Sequence, residues 1–483
     1  MTTQDRLSAL DASFLYLDGP TTPMHISSLA IYEGPAPRSD ELKRHLEGRV
    51  PLVPRFRQRL EHVPFGWHRP VWVPAPEFDI DAHLHHTALP APGGDEELRA
   101  VAGSILSQPL CRTRPLWEMW LIDGLSHGRF AILSKTHHAL WDGVSGVDLH
   151  SVLLDAGPDA GPLPDFDPAP ADPPPTRAQL LTKALRDHVS DGFGLARSVF
   201  RAARDPKATI RSVGELATGS AALAASFVRP APASSLNAPI GSGRRYALGR
   251  ASLHEVKKLR NEFGSTVNDV VLASVAGALH RWLLSRGMMP RDMKVMVPVS
   301  VRDQRDRGTL GNRVGMLVTP LPVSQDDPLL RLKAVSQTMT EAKASAQISA
   351  GEAFVRMSGM LPPQLVAGLS RAQAHNRSFN LLVTNIPGPQ FPLYLRGRRL
   401  LELFPQAPLA ANQGLSIAAL SYDGRMGFGL LGDRAILPDL DVLSQGLEDS
   451  LDELTRFVID MDREIEPTDD RVLAMAGRTP ATS

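Results

Sequence analysis

The sequence predicts an α/β fold in two globular halves, joined by a linker and a helical connecting segment. Three observations carry this. At 483 residues the chain is too long for one hydrophobic core. The stretch "DAGPDAGPLPDFDPAPADPPPT", Asp155 to Thr176, is dominated by proline, glycine and aspartate, the composition of an extended surface connection. On both sides of it, short apolar runs of strand type alternate with segments of helical period.

The elements follow in order. "RFAILSKTHH" reads as a strand with Phe130, Ile132 and Ser134 on one face and Ala131, Leu133 and Lys135 on the other. From Ala178 to Val213 the pattern turns helical: Leu181, Leu185, Val189 and Phe193 recur at four-residue spacing, and Val199 and Phe200 continue the apolar side. Seven Lys/Arg against three Asp make this window basic. It fits a bridging helix with a solvated face, or a helix lying on an anionic membrane.

From Asn237 the α/β alternation resumes. "LHEVKKLRNEFG" and "VNDVVLASVAGALHRWLLSRG" read as helices, and "MKVMVPVSV", "VGMLVTPLP" and "FNLLVTN" as strands. "LSIAALSYDGRMGFGLLGD" reads as a hairpin turning at Asp423-Gly424. "DLDVLSQGLEDSLDELTRFVIDMD" is an amphipathic helix, and a fraying tail is expected after it. The expected division is 1–155, 156–235 (linker and helical segment), 236–466 and a flexible tail, 467–483.

Composition narrows the class of function. The net charge is zero, so no basic field invites nucleic acid. One cysteine, Cys111, excludes an internal disulfide framework and fits a reducing compartment. The N-terminus contains acidic residues and lacks the apolar core of a signal peptide. No window approaches the roughly 20 consecutive apolar residues that span a bilayer. A cytoplasmic protein, soluble or surface-bound, is expected.

The stretch "KTHHALWDGVSG", Lys135 to Gly146, carries the chemistry. On a strand, His137 and His138 point to opposite faces, so one should face a cleft while the other is buried and structural. Asp142 follows four residues later, with Gly143 where a tight turn wants a permissive backbone. Such a carboxylate can fold back to fix a tautomer or pin the loop. Three readings compete: a metal site, a satisfied core pair, and one histidine as general base. Back-to-back histidines diverge, which argues against the first. A core pair leaves the Asp-Gly without a reason. "HLHH", His83 to His86, is read as surface or cleft lining.

"HHALWDG" matches the HHxxxDG signature of the chloramphenicol acetyltransferase-like superfamily, which includes the condensation domains of peptide synthetases. The surrounding chain resembles one branch, the bacterial bifunctional wax ester synthase/diacylglycerol acyltransferases. The ordered series that carries this includes "LSALDASFLYLDGPTTPMHISSLAIYEG", "PLWEMWLIDGL", "TVNDVVLASVAGALHRWL", "GNRVGMLVTPLP" and "TNIPGPQFPLYLRG". The resemblance implies two acetyltransferase-like domains crossed by a channel.

It implies an enzyme that moves a fatty acyl group from acyl-CoA to diacylglycerol or a long-chain alcohol. Acyl-CoA would be a co-substrate with no bound cofactor or metal, and contact with membrane or lipid droplets would be peripheral. It assigns the base to His138, a supporting role to His137, and loop-holding to Asp142 with Gly143. Asn268 and Asp269 match a second signature, read either as active-site support at the interface of the halves or as the start of a helix. Trp117 matches a third, read as channel lining or packing. Asn385, Pro387 and Gly388 are candidates for the channel border. Where the superfamily carries a DFG segment, this chain has Gly427-Phe428-Gly429. A carrier-fed condensation-type enzyme and a non-catalytic acyl-CoA- or droplet-binding protein are the competing functions.

Overall fold

A computed structural model of the chain describes residues 6–141, 153–159, 161, 173–186, 230–300, 314–344, 367–368 and 377–465. In the first half, α1 (Ala9–Leu17) leads to β1 (His25–Tyr32) and α2 (Ser39–Arg49). The ribbon of β2 (Gln58–Glu61) and β3 (Val71–Pro74) precedes β4 (Leu84–Ala88), α3 (Asp95–Leu106), β5 (Trp117–Asp123) and β6 (Phe130–His137). After a short helix α4 (177–186) come β7 (Arg244–Ser252), α5 (Leu253–Glu262), α6 (Val267–Ser285), β8 (Met293–Ser300), β9 (Val314–Leu321) and α7 (Pro328–Ala344). The chain continues through β10 (Leu381–Pro387), β11 (Tyr394–Leu395), β12 (Arg398–Gln406), β13 (Leu415–Tyr422), β14 (Arg425–Asp433) and α8 (Leu440–Ile465).

The strands form two six-stranded mixed sheets. The first runs β11-β12-β1-β6-β5-β4 and the second β7-β14-β13-β10-β8-β9. Strand alternation decides their faces. Phe130 and Ile132 join one core with Tyr32, Met119 and Leu403, while Ala131 and Leu133 join another with Leu29, Ile31 and Phe404. The second core also takes Leu98, Ala102 and Ile105 of α3 and Tyr246, Leu248 and Leu431 of the second sheet. It is the seam between the halves.

The sheets do not follow the expected division of the chain. β11 and β12, from the C-terminal half, complete the N-terminal sheet, with β12 antiparallel to β1. β12 therefore passes close over β14. A Cβ on Gly427 would stand 2.2 Å from the Leu403 carbonyl oxygen, and one on Gly429 would stand 1.7 Å from that of Pro405. Only glycine permits this approach, which explains "GFG" on an ordinary strand. Arg250 of β7 clamps the crossing with a bidentate pair to Glu402 (2.8 and 3.1 Å) and a further bond to Asp95 (2.7 Å).

The C-terminal half is built on α6, whose residues from Asp269 to Leu283 are buried except Arg281, because its sequence is apolar nearly all round. α8 closes over it with Leu440, Leu443, Leu447, Leu451, Leu454 and Val458, all buried. Each contributes about 1.5–3 kcal/mol relative to exposure. The hairpin turns where expected, with Asp423 and Gly424 both left-handed at φ 42° and 79°.

One periodicity is corrected. In α4 the buried positions are Leu180 and Ala184, while Leu185 is exposed, because Leu180 packs on Val71 and Val73. The rest of the basic window, and the tail, lie outside the described residues.

Candidate active site

β6 ends at His137, and His138 opens a 3-10 turn that runs to Trp141. The two rings therefore diverge, as expected for neighbours, with the strand end between them. His137 is buried opposite His25 of β1. Its Nδ1 accepts the Ala139 N–H at 3.0 Å, so the neutral ring keeps its proton on Nε2. That atom faces the Asp18 carboxylate at 3.6 Å.

His138 is largely covered, with a minor part of its surface exposed. Its backbone N–H donates to the Met24 carbonyl at 2.9 Å. Its ring lies flat on Phe14, with centroids 3.7 Å apart and planes 17° from parallel. Its Nδ1 is buried and has no hydrogen-bond partner among the described residues. Burial pushes the imidazole pKa down to about 4, and the neighbouring His137 adds to this. At neutral pH the ring is an unprotonated base. With Nδ1 turned inward, Nε2 is the nitrogen left for chemistry.

Asp18 ends α1. It accepts the Met24 N–H at 2.8 Å and is paired with Arg112. Burial alone would raise its pKa, but His137, Met24 and Arg112 outweigh it and hold the carboxyl at about 2. His25 is buried against cationic neighbours and pushed to about 3, chiefly by burial and then by Lys135. On the sheet face shared by His137, opposed residues run Gln406, Ser27, Lys135 and Glu118. Lys135 is fully buried there, donating to the Gln108 carbonyl at 2.8 Å beyond the end of α3 and pairing with Glu118 at 3.2 Å. Arg244 of β7 donates to the Thr21 carbonyl, so the second half also grips this end of the first sheet.

Asp142 and Gly143 lie outside the described residues. Asn268 and Asp269 sit on the first turn of α6. Asp269 closes a capping box: its Oδ2 accepts the Thr266 N–H at 2.9 Å, and its own N–H donates to Thr266 Oγ1 at 3.2 Å. Asn268 beside it is half-buried. Among the described residues no hydrogen bond joins either to His138.

Trp117 is corrected from channel lining to core. It is 2% exposed, stacked between Phe56 (4.9 Å) and His83 (4.5 Å), and its Nε1 donates to the Phe56 carbonyl at 2.9 Å. His83 is likewise no surface residue, being buried with Nδ1 donating to the Trp117 carbonyl at 2.8 Å. Asn385 and Pro387 end β10 beside β13, and Gly388 donates to Ser421 Oγ at 3.3 Å. Cys111 is exposed and bonded to Thr113.

The residues that sequence reading missed are Asp18, Phe14, His25 and Arg244. Their only local trace is a carboxylate at the end of an apolar helix, then a histidine opening a strand.

Two mixed sheets packed over a shared seam, with a histidine pair at the tip of an inner strand, define a chloramphenicol acetyltransferase-like acyltransferase. The comparisons agree. The family model described as the wax ester synthase/diacylglycerol acyltransferase catalytic domain matches residues 7–271, and the WS/DGAT C-terminal domain matches 310–455. The chain belongs to this family and is an acyltransferase acting on lipid.

It is 34% identical over 454 residues to the probable diacylglycerol O-acyltransferase tgs1 of Mycobacterium tuberculosis, covering 92% of this chain and 95% of that one. It is 33% identical to tgs2 of the same organism, covering 94% and 99%. Among solved structures, the wax ester synthase/diacylglycerol acyltransferase of Marinobacter aquaeolei VT8 matches with a TM-score of 0.64 at 26% identity, over 93% of this chain and 98% of that one. The first condensation domain of the calcium-dependent antibiotic synthetase shares the fold, with a TM-score of 0.55 at 19% identity over 93% and 96% of the two chains.

Proposed function

We propose that this protein transfers a fatty acyl group from acyl-CoA to a lipid alcohol in one ternary complex, with His138 as general base. The acceptors are diacylglycerol, giving triacylglycerol, and long-chain alcohols, giving wax esters. The carrying observation is the state of His138: a neutral imidazole whose Nδ1 is buried and whose ring is held by Phe14.

In this reading Nε2 takes the acceptor's hydroxyl proton as its oxygen attacks the thioester carbonyl. The tetrahedral oxyanion then collapses, the carbon–sulfur bond breaks, and the imidazolium returns the proton to the CoA thiolate. No covalent acyl-enzyme is needed. Asp142 and Gly143 keep the loop-holding role that the family resemblance gives them. The names of the mycobacterial relatives favour diacylglycerol as acceptor. The test is purified protein with palmitoyl-CoA and either a diacylglycerol or hexadecanol, following thiol release. Equal thiol release in the absence of both lipids, or no release with either of them, rejects the proposal.

A lipid acceptor requires access to a lipid surface, and we place the protein in the cytoplasm, peripheral to the inner membrane or to lipid droplets. Among the described residues no helix is long and apolar enough to cross a membrane. Phe65 is 80% exposed on a left-handed loop (φ 60°) beside the half-exposed Trp67, the kind of aromatic tip that enters an interface. Phe65→Ser should weaken co-flotation with anionic vesicles; unchanged flotation removes this loop from the contact.

A further inference from the structure

We infer that Asp18 is a positioning residue for the His138 imidazole, acting through Met24 and His137, and that Phe14 holds the ring from the same helix. The inference rests on the reading of His138 as the base.

Asp18 works through two routes. Along the backbone, its Oδ1 accepts the Met24 N–H at 2.8 Å, and the Met24 carbonyl accepts the His138 N–H at 2.9 Å. One residue thus joins the carboxylate to the backbone of the base. Through the side chains, Oδ2 faces His137 Nε2 at 3.6 Å. His137 Nδ1 meanwhile takes the N–H of Ala139, the second residue of the turn that His138 opens. His137 and Ala139, on either side of His138, are therefore tied to one ring, and the carboxylate stands beside that ring's Nε2.

The carboxylate is not spent on capping the helix end. α1 is capped at its C-terminus by the backbone N–H of Asp18, which donates to the Phe14 carbonyl, so the side chain is free to turn toward Met24 and His137. A nearly buried carboxylate is costly unless partnered, and this one accepts from Met24 and Arg112, with His137 Nε2 beside it at 3.6 Å. The loop it anchors is closed by mutual hydrogen bonds of Gly19 and Thr22 at 3.1–3.2 Å. Phe14, one turn back in α1, stacks on the His138 ring at 3.7 Å. α1 thus delivers both contacts as a rigid unit. Displacement of about 1 Å at a reacting group can cost on the order of 10²-fold in rate, so such a support belongs to the catalytic geometry.

The test compares Asp18→Asn, Asp18→Glu and Phe14→Leu with His138→Ala, by steady-state kinetics with palmitoyl-CoA and a diacylglycerol, thermal melting, and 15N-histidine spectra. Asp18→Asn should lower kcat at least about tenfold with both KM values within about twofold and melting unchanged. Its His137 and His138 ring signals should shift, although the Ala139 N–H still holds His137 Nδ1. Asp18→Glu should recover part of the loss, and Phe14→Leu should lower kcat severalfold. Wild-type kcat in Asp18→Asn, or a loss that follows melting while the His137 and His138 ring signals stay unshifted, overturns the inference. Should Asp18→Asn fail to fold, Phe14→Leu with unchanged kcat overturns it. Full turnover in His138→Ala rejects the base assignment itself, a separate result.

Discussion

The two sheets share a strand count and differ in what their inner strands bury. β13, inside the second sheet, is buried at every residue and carries no acidic or basic side chain. β1 and β6, inside the first, are apolar along most of their length but end in His25, Lys135 and His137, all buried. Buried titratable groups cost stability unless every one is partnered. The second sheet, with α6 and α8, builds an apolar core, while the first sheet is polar and titratable at one end. Arg244 and β12 tie the two together, so the second half also grips the histidine end.

That contrast can be broken by substitution. His138→Ala, in the first sheet, should lower turnover by roughly 10²–10⁴-fold, about 3–5 kcal/mol of barrier, while melting stays at the wild-type value. Equal turnover would leave the polar end of the sheet without a catalytic reason. Leu447→Ala, in the second, should do the reverse. It empties a fully buried site on α8 and should cost about 2–5 kcal/mol by denaturant unfolding, with turnover per folded molecule preserved. A matching loss of turnover would show that the halves do not divide the work.

A pH profile gives the finest cut. The base acts only when unprotonated, so activity is present above its pKa and lost as pH falls through it. With His138 held at about 4, kcat/KM should show no limb near the ordinary imidazole value, and should decline tenfold per unit only below about pH 4. A limb near 6.5 would mean the ring works in a far wetter setting than its packing on Phe14 indicates.

Much of the fold was legible because its signals are local. The two faces of β6 follow from strand alternation, and they separate Phe130 and Ile132 from Ala131 and Leu133 as expected. The Asp423-Gly424 turn, the run of α6 and the apolar stripe of α8 follow from turn chemistry and helical period. The strand reading carried one residue too far, since β6 ends at His137 and His138 already belongs to a 3-10 turn. Trp117 stayed open between channel and packing because a family motif marks a position without saying whether the ring meets substrate or neighbours; here Phe56 and His83 stack on it. α4 misled because two apolar stripes compete on a short helix, and the surface at Val71 and Val73 chose the other one.

By itself the sequence determined the strands, the helices and the histidine motif, since each depends on residues within a few positions of one another. Tertiary structure alone decided that Asp18 meets His137, that Phe14 covers His138, and that β12 leaves its own half to complete the other sheet. Periodicity records which face a residue prefers. It does not record which distant face will cover it, because that follows from strand register and chain crossing, which no local spacing encodes.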